Sequence, residues 1–95
     1  MHTVISVKIT FDAIKDSANI AKHSVSLAEA VGIEWDSLWA LHDVRRDYGE
    51  QRYIGYVILA DRLYCVVFTD RGAERRIISL RKANPREVRN YAANY

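Results

Sequence analysis

Four arginines fall close together near the end of the chain, Arg71, Arg75, Arg76 and Arg81, and farther back stand Arg52-Tyr53 and the pair Lys22-His23. Guanidinium groups hold phosphate through paired hydrogen bonds and keep their charge at any physiological pH. An imidazole near its ordinary pKa moves protons, typically raising rates ~10²–10⁴-fold. With Tyr53, Thr69 and Ser79 placed near them in a strand reading, these side chains form the inventory that metal-free RNA cleavage needs. A 2′-hydroxyl must lose a proton, the in-line phosphorane must be neutralised, and the 5′-oxygen must regain a proton. Other chemistries lack their residues. His2, His23 and His42 have no His-x-x-x-His spacing, Cys65 is the lone cysteine, and no glycine-rich phosphate loop or nucleophile elbow occurs. No metal and no cofactor is expected.

The arginines need a rigid carrier. Leu63 to Thr69 is an apolar, β-branched and aromatic run that reads as a central strand covered on both faces. Asp70-Arg71-Gly72-Ala73 supplies a turn, with Gly72 free to take positive φ. From Glu74 to Arg81 the residues alternate, which predicts Arg76, Ile78 and Leu80 on one face and Arg75, Ile77, Ser79 and Arg81 on the other. Arg52 to Ala60 is a further strand, joined to the central one by a tight turn at Asp61-Arg62.

The Lys22-His23 pair needs a corner. Thr3 to Phe11 alternates as a half-buried strand, and Asp12 is set to cap a helix running to about Lys22. Ser26-Leu27-Ala28-Glu29 forms a capping box that predicts a second helix, leaving Lys22-His23-Ser24 between two helices. Leu38 to Leu41 is a weak strand candidate, and Arg45 to Gly49 a mixed-charge loop. The last helix has the strongest start signal, with Asn84 as N-cap, Pro85 at N1 and Glu87 at N3, and an apolar stripe of Val88, Tyr91, Ala92 and Tyr95. The predicted fold is α+β: a small antiparallel sheet with two N-terminal helices and one C-terminal helix packed on it, residues 1–95 forming a single domain.

Net charge is only +2, but from Arg71 onward seven basic residues face Glu74 and Glu87, while the preceding residues are net acidic. Such polarity suits a polyanion partner. The same arginines also serve simply to solubilise an edge strand and a final helix. His23 has a bland reading as a helix-end cap, Arg52 as an edge-strand gatekeeper, Arg86 and Arg89 as solvated helix face. Trp35 and Trp39 read as core or partner surface rather than base-stacking platforms. Cys65 sits in the central apolar run and reads as a small buried hydrophobe suited to a reducing compartment. No apolar span of membrane length and no signal peptide is seen, so a cytoplasmic protein with no membrane association is expected.

Taken in order, these blocks resemble the BrnT family of bacterial toxins: Ile9-Thr10-Phe11-Asp12, Asn19 to Ala30 around Lys22-His23, Gly49-Glu50-x-Arg52-Tyr53, Val66 to Gly72, Arg76 to Ala83, and Pro85-x-Glu87 through Tyr91. The resemblance implies a RelE/ParE-like fold and a ribonuclease that arrests translation. It further implies neutralisation by a BrnA-like ribbon-helix-helix antitoxin, with operator DNA contacted only through the toxin–antitoxin complex. By position, Lys22, His23, Arg52, Arg76 and Arg81 take the expected catalytic roles, and Arg71, Arg75, Ser79 and Tyr53 those of substrate binding. Three departures stand out: Ser24 where the family usually has glycine, Ile9-Thr10-Phe11-Asp12 for Phe-Glu-Trp-Asp, and Leu41-His42-Asp43-Val44 with no proline. The alternative is a noncatalytic nucleic-acid or protein-interaction module using the same basic face.

Overall fold

The computed structural model describes residues 8–95. Five strands and two helices follow in the order β1 (Lys8–Phe11), α1 (Ala13–His23), a 3₁₀ segment (Leu27–Gly32), β2 (Glu34–His42), β3 (Tyr53–Leu59), β4 (Arg62–Arg71), β5 (Glu74–Lys82) and α2 (Pro85–Asn94). The sheet order is β1-β5-β4-β3-β2. The predicted central strand is indeed central: β4 is flanked by β3 and β5, and Cys65, Val66, Val67, Phe68 and Thr69 are all buried.

Two features of the predicted architecture are corrected. The sheet is mixed, because β1 pairs parallel to β5, Lys8 opposite Glu74 through Phe11 opposite Ile77. A helix crosses between β1 and the rest of the chain, so the first strand can return alongside the last in parallel. The second N-terminal helix is a 3₁₀ segment. Ser26 Oγ accepts from Ala28 N (3.1 Å) rather than from Glu29, and donates to Asp16 Oδ1 (3.0 Å), which also accepts from Leu27 N (2.7 Å). Asp16 thus ties the segment to α1, and six residues with Gly32 at the end give one short tight helix. The predicted strand from Thr3 is described only from Lys8 on, its earlier residues lying outside the described residues.

The turns follow their chemistry. Gly72 takes φ +59 as expected, while the β3–β4 hairpin turns one residue earlier than predicted, on Ala60 (φ +50) and Asp61 (φ +61). Two consecutive positive φ values match the right-handed twist of a two-residue hairpin. Strand β2 is longer than the weak Leu38–Leu41 signal, its alternation obscured by an irregularity between Glu34 and Trp39. In β3, a Cβ at Gly55 would lie 2.6 Å from Leu38 Cδ1 and 3.2 Å from Trp39 O, so the β2–β3 pair packs onto a bare backbone there.

The core lies on one face, where Leu27, Ala30, Val25 and Ile33 cover Val57, Leu59, Val66, Phe68, Ile77 and Leu80. Helix α2 lies on the other face and buries no residue; Val88 is 44% and Tyr95 61% exposed, so the expected apolar stripe is not a core stripe. It is held by side-chain tips. Tyr91 Oη donates to Ser37 O (2.7 Å) and Tyr95 Oη to Asp36 O (2.6 Å), carbonyls freed by the β2 irregularity. The Asn84–Glu87 capping box forms as predicted.

Candidate active site

Strand β1 covers the edge of β5 only as far as Ile77. Beyond it, α1 takes over. Asn19, 5% exposed, donates from Nδ2 to Leu80 O (2.8 Å) and Val25 O (2.8 Å), and its Oδ1 accepts from Leu80 N (3.2 Å). A side-chain amide here satisfies both backbone groups of an edge residue, as a neighbouring strand would. One turn later come Lys22 and His23, and the helix ends at Ser24 in the left-handed conformation (φ +60). His23 therefore sits beside Arg81. Its own burial, followed by the charges of Lys22 and Arg81, pushes its pKa below 6.5, so the imidazole is neutral at pH 7.

The arginines of β5 are sorted by a bulge. Val67 pairs with Ser79 and Phe68 with Ile77, leaving Ile78 as the extra residue. The alternation predicted across this strand is broken: Ile77 and Leu80 both enter the core, and Arg76, opposite Thr69, shares a face with Ser79, opposite Val67, and Arg81, opposite Cys65. Arg71 alternates onto this face, and so does Arg52, which precedes Tyr53 opposite Phe68. Thr69 Oγ1 donates to Gln51 O (2.7 Å) and fixes that end of β3. Arg52 and Arg76 stand on the strands flanking buried Thr69, their Cα atoms roughly 10 Å apart. Arg81 lies four residues of β4 farther on, roughly 13 Å.

Tyr53 and Arg75 face the other way. Arg75 forms a bidentate pair with Asp70 (2.8 and 3.0 Å) and lies 4.6 Å over Trp35 and 4.4 Å over Phe68, while Tyr53 stacks on Phe68 at 5.4 Å. The nine expected residues are thus not one cluster. Arg52, Arg71, Arg76, Ser79 and Arg81 share a face, His23 approaches it at the Arg81 end with Lys22 just before it on α1, and Tyr53 and Arg75 brace the core side.

Most of these cations are held by carboxylates. Arg71 bonds Glu50 (2.7 Å), lowering the Glu50 pKa, and Arg52 Nε lies 3.5 Å from the same carboxylate without a hydrogen bond. Arg52 also lies 4.2 Å over the Tyr48 ring. Arg81 pairs with Glu87 through two bonds (2.8 and 2.9 Å), and Tyr56 Oη donates to Glu87 (3.0 Å). These bonds, Arg81 first, hold the Glu87 pKa at about 2, while burial and then Glu87 push Tyr56 up to about 12. Among the described residues Arg76 has no ion-pair partner.

Sequence reasoning missed Asn19, Glu50 and Tyr56 and saw Glu87 only as a cap. Asn19 carried one signal, a poor helix former inside a helix. The β2–β3 loop also lines an open cleft of about 490 Å³ from His42 to Arg52, where Asp43 is buried against Arg45 and Tyr48. Among the described residues no three His, Cys, Asp or Glu side chains are grouped to hold a metal ion, and no helix is long and apolar enough to cross a membrane.

Comparison with known proteins places the fold and this sequence together. The family described as ribonuclease toxin, BrnT, of type II toxin-antitoxin system matches residues 11–87. The crystal structure of the Brucella abortus ribonuclease toxin BrnT superposes with a TM-score of 0.65 at 25% identity, covering 83% of this chain and 99% of that one. No individual curated protein sequence matches. The matched span takes in α1 with its Lys22-His23 corner and all of β5, and the chain belongs to the BrnT family of ribonuclease toxins of type II toxin–antitoxin systems.

Proposed function

We propose that this chain is an endoribonuclease that cuts RNA without a metal ion and arrests translation in the cytoplasm until a BrnA-like ribbon-helix-helix antitoxin covers it. Neutral His23 accepts the proton of a 2′-hydroxyl as that oxygen attacks the adjacent phosphorus. Arg81 and Arg76 stabilise the charge that develops on the phosphorane. The bond to the 5′-oxygen breaks and Lys22 donates the proton that oxygen takes up, leaving a 2′,3′-cyclic phosphate and a 5′-hydroxyl. Arg52, Arg71 and Ser79 hold neighbouring phosphates along the same face. The observation that carries this reading is the one-face row of arginines on β5 that ends where α1 brings His23 beside Arg81.

The test is cleavage of single-stranded RNA by purified protein in EDTA, with the products' ends identified. Cyclic phosphate ends formed in EDTA support it; cleavage that EDTA abolishes counts against it. Growth arrest on induction without antitoxin, relieved by co-expressing the neighbouring ribbon-helix-helix protein, tests the toxin role. A second reading draws on the carboxylates that already neutralise Arg71 and Arg81: a noncatalytic nucleic-acid or protein-interaction module using the same face would bind its partner and leave RNA strands intact.

A further inference from the structure

The residue after each of two candidate catalytic groups, Ser24 after His23 and Lys82 after Arg81, lines a second cavity on the core side of the sheet. This cavity has a volume of about 240 Å³ and is completed by Val25, Leu59, Tyr64 and Glu29. Tyr64 and Lys82 are directly opposite across β4 and β5. Val25 and Leu59 are buried and give an apolar floor, and Tyr64 supplies an aromatic wall. Glu29 and Lys82 line the same cavity, and among the described residues neither forms an ion pair. A carboxylate acceptor and an ammonium donor thus share the cavity without neutralising each other.

We propose that this cavity receives the base of the nucleotide next to the scissile phosphate, and that the base it selects is guanine. The proposal rests on the nuclease reading for the identity of the ligand. At about 240 Å³ the cavity is smaller than the ~300–1,000 Å³ of sites for drug-sized ligands, which fits one ring system rather than a whole nucleotide. Guanine is the base whose pairing edge carries two adjacent donors, N1–H and N2–H₂, and two carboxylate oxygens match that pair. Its O6 and N7 acceptors suit an ammonium group such as that of Lys82. Aromatic stacking on Tyr64 adds affinity without choosing between bases.

Two measurements keep the cavity and the nuclease apart. Amide chemical shifts on adding guanosine, adenosine, cytidine or uridine 3′-monophosphate report binding whether or not the protein cuts RNA. The expected result is shifts at Ser24, Glu29, Tyr64 and Lys82 with the guanosine nucleotide at least tenfold tighter than the others, lost in Glu29→Gln and weakened in Lys82→Met. Equal affinity for all four nucleotides, or a guanosine preference that survives Glu29→Gln, overturns the assignment. In cleavage, four oligonucleotides differing only at the base flanking the cut should show a guanine preference of tenfold or more that falls to within twofold in Glu29→Gln. Guanosine binding at these residues with no cleavage of any RNA would leave the cavity standing and remove the nuclease; cleavage indifferent to the base would do the reverse.

Discussion

At the level of single residues, the two faces of β5 make opposite forecasts for neighbouring arginines. Arg76→Ala and Arg81→Ala should each lower kcat/KM for RNA cleavage by on the order of 10²-fold, the usual effect of removing a donor that stabilises developing charge. Arg75→Ala, on the far face against Asp70, Trp35 and Phe68, should leave cleavage within about threefold and instead lower stability by about 1–2 kcal/mol, read by urea unfolding. Equal loss of cleavage in all three would refute the division. His23 adds a pH signature. Its folded pKa lies below 6.5, so the neutral form present above 6.5 is kept as pH falls until that lower value is reached. The acid limb of kcat/KM should therefore have its midpoint below 6.5 and disappear in His23→Asn. The same depression makes folding less favourable as pH falls through this window, because the unfolded chain takes up the proton first.

At the level of elements, the joints decide. Ser24 ends α1 at φ +60, a conformation that disfavours side chains with a Cβ by about 1–2 kcal/mol and suits glycine. Ser24→Gly should raise stability by up to about 1 kcal/mol in thermal unfolding, the gain being trimmed by glycine's larger freedom when unfolded; a loss would show that the serine side chain contributes more than its strain. Helix α2 depends on Glu87, which caps its start and grips Arg81 and Tyr56 from the sheet. With its pKa held at about 2, the stability Glu87 contributes is complete above 4.5 and is lost as pH falls from 4.5 toward 2. Glu87→Gln keeps a capping side chain but loses the ion pair, so it should be less stable at pH 7 and show a flatter fall over that acid window.

The elements also show what the chain discloses on paper. The hairpins, the Asp12 and Asn84 caps and the central position of β4 were legible because each rests on local chemistry: a run of apolar residues, a turn residue, an oxygen at a helix start. The parallel return of β1 was not, since no residue near Lys8 to Phe11 encodes a partner in β5. The bulge at Ile78 was equally silent, as the sequence around it alternates without a break, yet it decides which arginines share a face. At the Ser26 capping box the pattern was present, but Asp16, ten residues away in sequence and on another element, took the serine hydroxyl as acceptor.

For the whole molecule, a mild net charge of +2 hides a basic face whose members are largely matched by Glu50 and Glu87. Binding to a noncleavable RNA should accordingly show a shallow salt dependence, a slope of about −1 to −3 in log–log form rather than the steep slope of a protein touching many phosphates, measured by anisotropy over 50–200 mM salt. Glu50→Gln should steepen it by releasing Arg71 and Arg52.

The amide of Asn19 reaches a strand residue 61 positions away. As the polypeptide leaves the ribosome, α1 emerges long before the edge it must grip, and the contact must close across all the chain between them. His23 and Arg81 come together only when β5 has been synthesised and docked. A product that stops short of β5 lacks that meeting point and should cleave no RNA.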